Sequence, residues 1–311
     1  MEKPRNIFSD GFIRLSQPSV LNDPFEATFC SRSLDELANH FDDTTAIDLE
    51  LGEISFSEYI KIRMQSVGVI SFSENKENLL MWAHYADEHK GLVIGILDIP
   101  ENGSIFHNLV NVDLLNSTSF DSYSPFDGKP RAINYRKGLR YRNDKFDYDY
   151  SNISAEGADR ILYEVFMQKS DEWIYEQEHR IILKVVQADK VILPSLDDIT
   201  NVKIQNMILE STHSSIDPET GHHVVNLVDF RDQRERRVIA NELSKLSKNP
   251  NVIYLMKLSS SAINSCLLGL KSPITKSEVL GKHVLAAGSF AVWEAKKDVD
   301  YYTLEFKEII D

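Results

Sequence analysis

The sequence predicts an α+β protein whose mixed or antiparallel sheet is flanked by helices. Two observations carry that expectation. Short β-branched apolar runs, "VGVISFS" at 67–73 and "LVIGILDI" at 92–99, alternate with amphipathic stretches of helical period, and no regular strand–helix–strand rhythm links them. The chain is also long enough for a large core, with 311 residues of which 42% are hydrophobic and 26% charged.

Taken in order, "GFIRLSQPSVLNDPFEATF" reads as a strand, a loop broken by Pro18, Asn22, Asp23 and Pro24, and the entry to a helix. Residues 33–65 are expected to be mainly helical and acidic. After the strand at 67–73, "SENKENLLMWAHYADEHKG" is expected to form a helix with Leu79, Trp82, Ala83 and Ala86 on one stripe, closed by Gly91. Residues 100–128 read as a long surface excursion, "RAINYRKGL" as a returning strand, and 154–171 as a helix with Ile161, Leu162, Val165 and Phe166 inward. "WIYEQEHRIILKVV" follows as a strand. The more polar stretch at about 188–251 reads as an insertion into a single domain spanning 1–311, ending in an exposed helix. The remaining segments alternate strand, helix and two closing strands.

Charge restricts the function classes. Lysine and arginine total 34 against 48 acids, a net charge of −14, so no global field draws the protein to nucleic acid or anionic lipid. A local exception is "KPRAINYRKGLRYRN", where Lys129, Arg131, Arg136, Lys137, Arg140 and Arg142 interleave with Tyr135 and Tyr141. Such a patch suits phosphates and stacked bases, and it equally suits an edge strand protected by charge. Two cysteines without partner spacing, no apolar leader and no stretch long enough for a membrane span point to the cytoplasm. Phosphate loops, dinucleotide-fold glycines, a serine elbow and metal-ligand spacing are all absent from the sequence pattern, so no metal is expected.

The chemistry-bearing stretch is "EQEHR". On a strand, Glu176, Glu178 and Arg180 would project from one face. Crowded carboxylates titrate apart and so tune an acid, a base or an electrostatic stabiliser. The alternative is a solvated charge ladder that Arg180 neutralises.

Three segments in order, "LSQPSVLNDPFE" (15–26), "MWAHYADEHKGLVIG" (81–95) and "KSDEWIYEQEHRIIL" (169–183), together with "AINSCLLGLKS" and "LEFKEI" near the end, resemble a bacterial family catalogued as a domain of unknown function. That family looks like a remote branch of the ADP-ribosyltransferase superfamily, and the resemblance covers nearly the whole chain. It implies a split β-sheet binding NAD in a cleft, with NAD as co-substrate. Glu178 would stabilise the oxocarbenium-like charge as nicotinamide leaves, and Glu176 would orient or deprotonate the acceptor. Trp82, His84 and Tyr85 would line the cleft, Asn22 and Asp23 would shape its loop, Arg180 would pair with a carboxylate or phosphate, and Arg14 (or Arg5) would take the NAD-binding place on the first strand. Within the superfamily the nearest parallel is the CmdT type of toxin in toxin–antitoxin–chaperone phage-defence loci, which implies an RNA acceptor and antitoxin and chaperone partners. The alternative is a non-enzymatic nucleotide- or partner-binding module. A hydrolase built on the carboxylate pair is a third reading.

Overall fold

The computed structural model describes residues 7–38, 54–96, 104–107, 109, 126–139, 155–259, 262–281 and 290–309. In chain order these begin with helix α1 (Ile7–Asp10) and strand β1 (Phe12–Leu15), then a 3-10 turn at Pro18–Val20. Helices α2 (Ser31–Ala38) and α3 (Phe56–Met64) follow, then β2 (Val67–Ser73), α4 (Leu79–Tyr85) and β3 (Leu92–Ile96). Next come β4 (Arg131–Ala132), β5 (Asn134–Arg136), α5 (Ala155–Phe166), β6 (Gln168–Ser170), a 3-10 helix at Asp171–Glu176 and β7 (Glu178–Lys184). The rest comprises β8 (Lys190–Leu193), α6 (Val202–Glu210), β9 (Ser214–Ile216), β10 (His223–Val225), α7 (Gln233–Ser244), β11 (Ile253–Lys257), β12 (Ile263–Leu268), α8 (Lys276–Gly281), β13 (Ala291–Lys297) and β14 (Leu304–Glu308).

Helices combined with mixed and antiparallel sheets make this the α+β class. One sheet runs β1-β11-β8-β10-β9, a second β14-β13-β12-β3, a third β2-β7-β4, and β5 pairs with β6. The bridge Ser16↔Val69 links the first sheet to the third. Strand alternation in β7 divides its residues between two cores. Ile181 and Leu183 face the largest apolar cluster with Ile70, whereas Ile182 faces a second cluster, formed with Val67, Val69 and residues of α3 and α5. A third, smaller cluster holds Trp82 and Ala86 of the α4 segment against Leu267, Ala295 and Leu304.

Local chemistry explains most boundaries. Ser55 caps α3 in a reciprocal capping box with Glu58. The Asn78 side chain accepts from the backbone N–H of Leu80 and Met81 and starts α4. That helix stops after Tyr85, earlier than its apolar stripe predicts, because Asp87, Glu88 and His89 all adopt positive φ. The Gly91 N–H then closes the turn on the Ala86 carbonyl at 2.8 Å, so Gly91 ends the loop and does not cap the helix.

One further expectation is corrected. "RAINYRKGL" is not one strand: Arg131 and Ala132 pair with β7, then Asn134–Arg136 pairs with β6 in another sheet. Within the stretch at 188–251, β8 sits between β11 and β10, and Val191, Leu193, Ile239, Ala240 and Leu243 join the largest apolar cluster. Most of the excursion expected at 100–128 lies outside the described residues.

Candidate functional site

The strand expected over 173–186 begins only at Glu178. Residues 171–176 form a 3-10 helix started by the Ser170 side chain, and Gln177 turns the chain into β7 with a left-handed φ of 46°. Glu176 therefore does not share a strand face with Glu178. The turn nonetheless delivers it to the same place.

That place is a buried acid–base cluster. Arg180 lies beside Glu178 on β7, its Nε donating to Glu178 Oε1 at 2.6 Å and one Nη to Oε2 at 3.0 Å. The same Nη donates to Glu26, and the other Nη to the Phe166 carbonyl at 2.7 Å. Lys169, on β6, reaches Glu176 at 2.6 Å, Glu178 at 3.2 Å and Glu26 at 3.4 Å. All five side chains are at most 7% exposed. Three carboxyl groups thus face two cations in a region of low effective dielectric, an excess of one acid by formal count.

Burial pushes the Glu178 carboxyl up, but Arg180, then Lys169 and a hydrogen bond from Ser71, outweigh it and hold the group below the usual carboxylate range. Burial likewise lowers the Lys169 and Arg180 pKa values, and the surrounding glutamates more than reverse that, so both stay charged. The Tyr85 hydroxyl donates to Glu176 Oε1 at 2.6 Å. Burial and that acceptor hold the phenol protonated, far above its ordinary range. The Tyr135 hydroxyl accepts from the Glu178 N–H at 2.8 Å and fixes the start of β7.

Around this cluster stands a rim of rings. Lys169 Nζ lies 4.8 Å from the Trp173 ring centroid, Trp173 and Tyr175 are 6.0 Å apart, and His84 is 6.4 Å from both Tyr175 and Tyr85. Tyr85 is about half exposed, and it also lines a cleft of about 1200 Å³. The cleft is lined by apolar side chains, Phe72, Val93, Ile94 and Leu267 among them, and by the polar residues Glu74, Lys76, Lys129 and His179. His179 occupies the face of β7 opposite Glu178 and Arg180, so Tyr85 joins the cleft to the carboxylates. Gly128 shapes the far rim, with φ +75° and space in which a Cβ would meet Leu109 at 2.6 Å.

The expected site residues separate accordingly. Glu176, Glu178, Arg180 and Tyr85 come together, with His84 on the aromatic rim. Trp82 lines the cleft as expected, but it is 1% exposed, stacks on His89 and Phe306, and donates its indole N–H to the Lys76 carbonyl at 2.7 Å, so it forms a fixed wall of the cleft. Asn22 is exposed. Asp23 is buried and accepts from the Phe25 N–H, shaping the loop that carries Glu26. Ile13 lines the cleft, which puts Arg14 on the other face of β1. Arg5 lies outside the described residues.

The basic patch is not a single surface either. Arg131 is committed to Asp127 at 2.6 Å and Tyr135 turns inward to Glu178, whereas Arg136 and Lys137 remain exposed and Arg140 and Arg142 lie outside the described residues. No metal-binding group of acids, histidines and cysteines occurs among the described residues, and no helix among them is long and apolar enough to cross a membrane.

Glu26 and Lys169 were not singled out by sequence reasoning. Their signal was present in the quoted segments, Glu26 closing "NDPFE" and Lys169 opening "KSDEWIYEQE", but a lone Glu and a lone Lys have no spacing that announces a partner 143 positions away. No curated protein and no solved structure matches the chain at a significant level. Residues 81–181, which carry Tyr85, Lys169, Glu176, Glu178 and Arg180 but not Glu26, match the family model described as "Protein of unknown function (DUF2971)".

Proposed function

We propose that the protein is an NAD-dependent ADP-ribosyltransferase that modifies a macromolecular acceptor, RNA first among candidates. The observation that carries the reading is the buried cluster with its formal excess of one acid, joined through Tyr85 to a cleft large enough for a dinucleotide. Small-ligand sites span roughly 300–1,000 Å³, so the volume is sufficient. The apolar lining suits the rings of NAD, and the lysines among the lining residues suit its diphosphate.

In this scheme the bond between nicotinamide and the ribose C1′ breaks, and nicotinamide leaves with the electron pair and becomes neutral. Positive charge develops on the ribose at the Tyr85 end of the cleft. The ionised Glu178 and the net negative cluster lower the energy of that charge, an effect strengthened by the dry surroundings. The acceptor nucleophile bonds to C1′ and gives its proton to the Tyr85 oxygen as the Tyr85 proton passes to Glu176. Lys169 and Arg180 keep the glutamates in register. The exposed Phe25, Leu80, Tyr85 and Ile174 offer apolar surface for an antitoxin that masks the site, with a chaperone as a further partner.

Transfer of labelled ADP-ribose from NAD to total cellular RNA and to cellular protein tests this, with nuclease and protease digestion separating the acceptors. Label released by nuclease is expected. Absence of label from every macromolecule contradicts the reading.

A second reading has its own observation. Both oxygens of Glu176 and of Glu178 are already engaged, which is how a purely structural network looks, so a non-enzymatic module would use the cleft to bind a nucleotide or partner. It predicts saturable NAD binding with no nicotinamide released.

A further inference from the structure

Three of the sheets end at the cleft. Strands β1, β2 and β3 are each the terminal strand of their sheet, and Ile13 of β1, Ser71, Phe72 and Ser73 of β2, and Val93, Ile94, Gly95 and Ile96 of β3 line the same space. Successive residues of a strand point to opposite faces. Four in a row can line one space only where β3 turns its edge, and not a face, toward it. Hydrogen-bond parity identifies the free groups on that edge. The Gly91 carbonyl accepts from the Gly269 N–H at 3.0 Å, and this pair continues the β3–β12 register. Bonding toward β12 therefore falls on residues 91, 93 and 95, and the N–H and C=O of Leu92 and Ile94 point away from β12. On that side neither has a backbone partner among the described residues.

Other edges of the fold are blunted. Strand β14, at the far end of the same sheet, carries Glu305, Lys307 and Glu308. Strand β9 has only three residues. On β1 the Asp10 side chain takes up the Phe12 N–H at 3.0 Å, and on β2 Ser16 pairs with Val69. The β3 sequence "LVIGI" has no charge and no proline, and all five of its residues are half-buried. Such an edge on an open surface invites indiscriminate pairing, whereas inside an apolar cleft it is a template that admits one extended segment.

We infer that β3 receives an added strand: an extended segment of a partner protein, apolar at alternate residues, pairs with the β3 edge inside the cleft. Its main chain bonds to Leu92 and Ile94, and its apolar side chains meet the cleft lining, Phe72 and Leu267 among it. The occupant is a polypeptide because donors and acceptors repeated along a strand edge are matched by another main chain. The inference goes beyond the transferase reading and does not depend on it.

Display selection of random peptides of about eight residues, a length that spans an ordinary strand, against the full chain tests it, followed by calorimetry with the enriched peptide. Enriched sequences are expected to alternate apolar and polar residues. N-methylation of the peptide at the residues whose N–H faces β3 is expected to weaken binding by about tenfold or more, because a buried carbonyl of β3 is then left without a donor. Methylation at the intervening residues is expected to change it little. Hydrogen exchange at the Leu92 and Ile94 amides should slow in the complex. Ile94→Pro removes an N–H that the sheet does not use, a change an edge strand tolerates, and is expected to abolish binding. Failure to enrich any peptide, or binding indifferent to every N-methylation, overturns the inference. The methylation series uses the wild-type chain, so it decides the question even where Ile94→Pro does not fold. NAD turnover is not among the readouts, so this site and the transferase reading fail separately.

Discussion

Lys169 is the side chain on which the buried cluster depends, because it alone touches Glu26, Glu176 and Glu178. Lys169→Met would leave three buried carboxylates against one arginine, and removing one partner of a buried ion pair costs about 3–5 kcal/mol. Urea unfolding is expected to show a loss of that size, with recovery in part when Glu176→Gln is added. Tyr85→Phe removes one hydrogen bond to a charged acceptor, worth about 1.5–3 kcal/mol at most in a buried setting and less here because Tyr85 is half exposed. Under the proposed reaction its diagnostic effect is expected on turnover, with the proton relay lost and NAD binding retained. Acid stability reports on Glu178. Its folded-state pKa is depressed, so the unfolded chain binds the proton more readily, and the contribution is complete above the ordinary glutamate value of about 4.3 and is lost as pH falls through the lower folded value. The stability gap between wild type and Glu178→Gln should therefore narrow as pH is lowered from about 6 to 3. A gap independent of pH would mean that folding leaves the Glu178 pKa unchanged, and one that shifts in the opposite direction would mean that folding raises it. At this scale the sequence was legible for Glu178, Arg180 and Tyr85, whose side chains do converge, and illegible for Glu26 and Lys169, whose partners are defined only by tertiary contact.

At the scale of elements, the strand at 67–73 and the two closing strands were plain in the sequence because each is a short run rich in β-branched or aromatic residues. The misjudged boundaries have a common cause, namely polar groups that satisfy backbone locally and so stop an element before its apolar pattern ends. Ser170 starts a 3-10 helix where alternation suggested strand, and three successive positive-φ residues end α4 where the stripe suggested more helix. Helix α4 is pinned by Trp82, whose indole reaches Lys76 and whose ring packs on Phe306. Trp82→Ala would empty a fully buried site, with a cost of about 3–5 kcal/mol. Because Tyr85 is on the same short helix, and Asn78 at its start also binds the Tyr175 carbonyl, the variant is expected to loosen the Tyr85–Glu176 contact as well. Hydrogen exchange should then show faster exchange in both 79–85 and 171–177. Faster exchange in the first segment alone would show that the helix and the carboxylate turn are not coupled.

For the whole molecule, the cleft and the charge cluster occupy opposite faces of β7 and meet at Tyr85, whereas a one-dimensional reading placed the catalytic and NAD-binding candidates around one pocket. Strand alternation alone assigns His179 to the face opposite Glu178, but it does not say which face the cleft takes. That was decided by packing, with one face of β2 and β7 covered by α3 and α5 and the other partly open. The α+β class, by contrast, followed from the order of elements alone. The central claim is that the negative charge gathered behind Tyr85 serves the departure of nicotinamide. The most direct test is nicotinamide release from NAD by the purified full chain, wild type beside Glu178→Gln, with and without total cellular RNA, at a temperature where both remain folded by circular dichroism. Release by the wild type that falls by about a hundredfold or more in Glu178→Gln is the predicted result, the size expected when an electrostatic stabiliser is removed. Release undiminished in the folded variant, or none from the wild type with any acceptor, would contradict it.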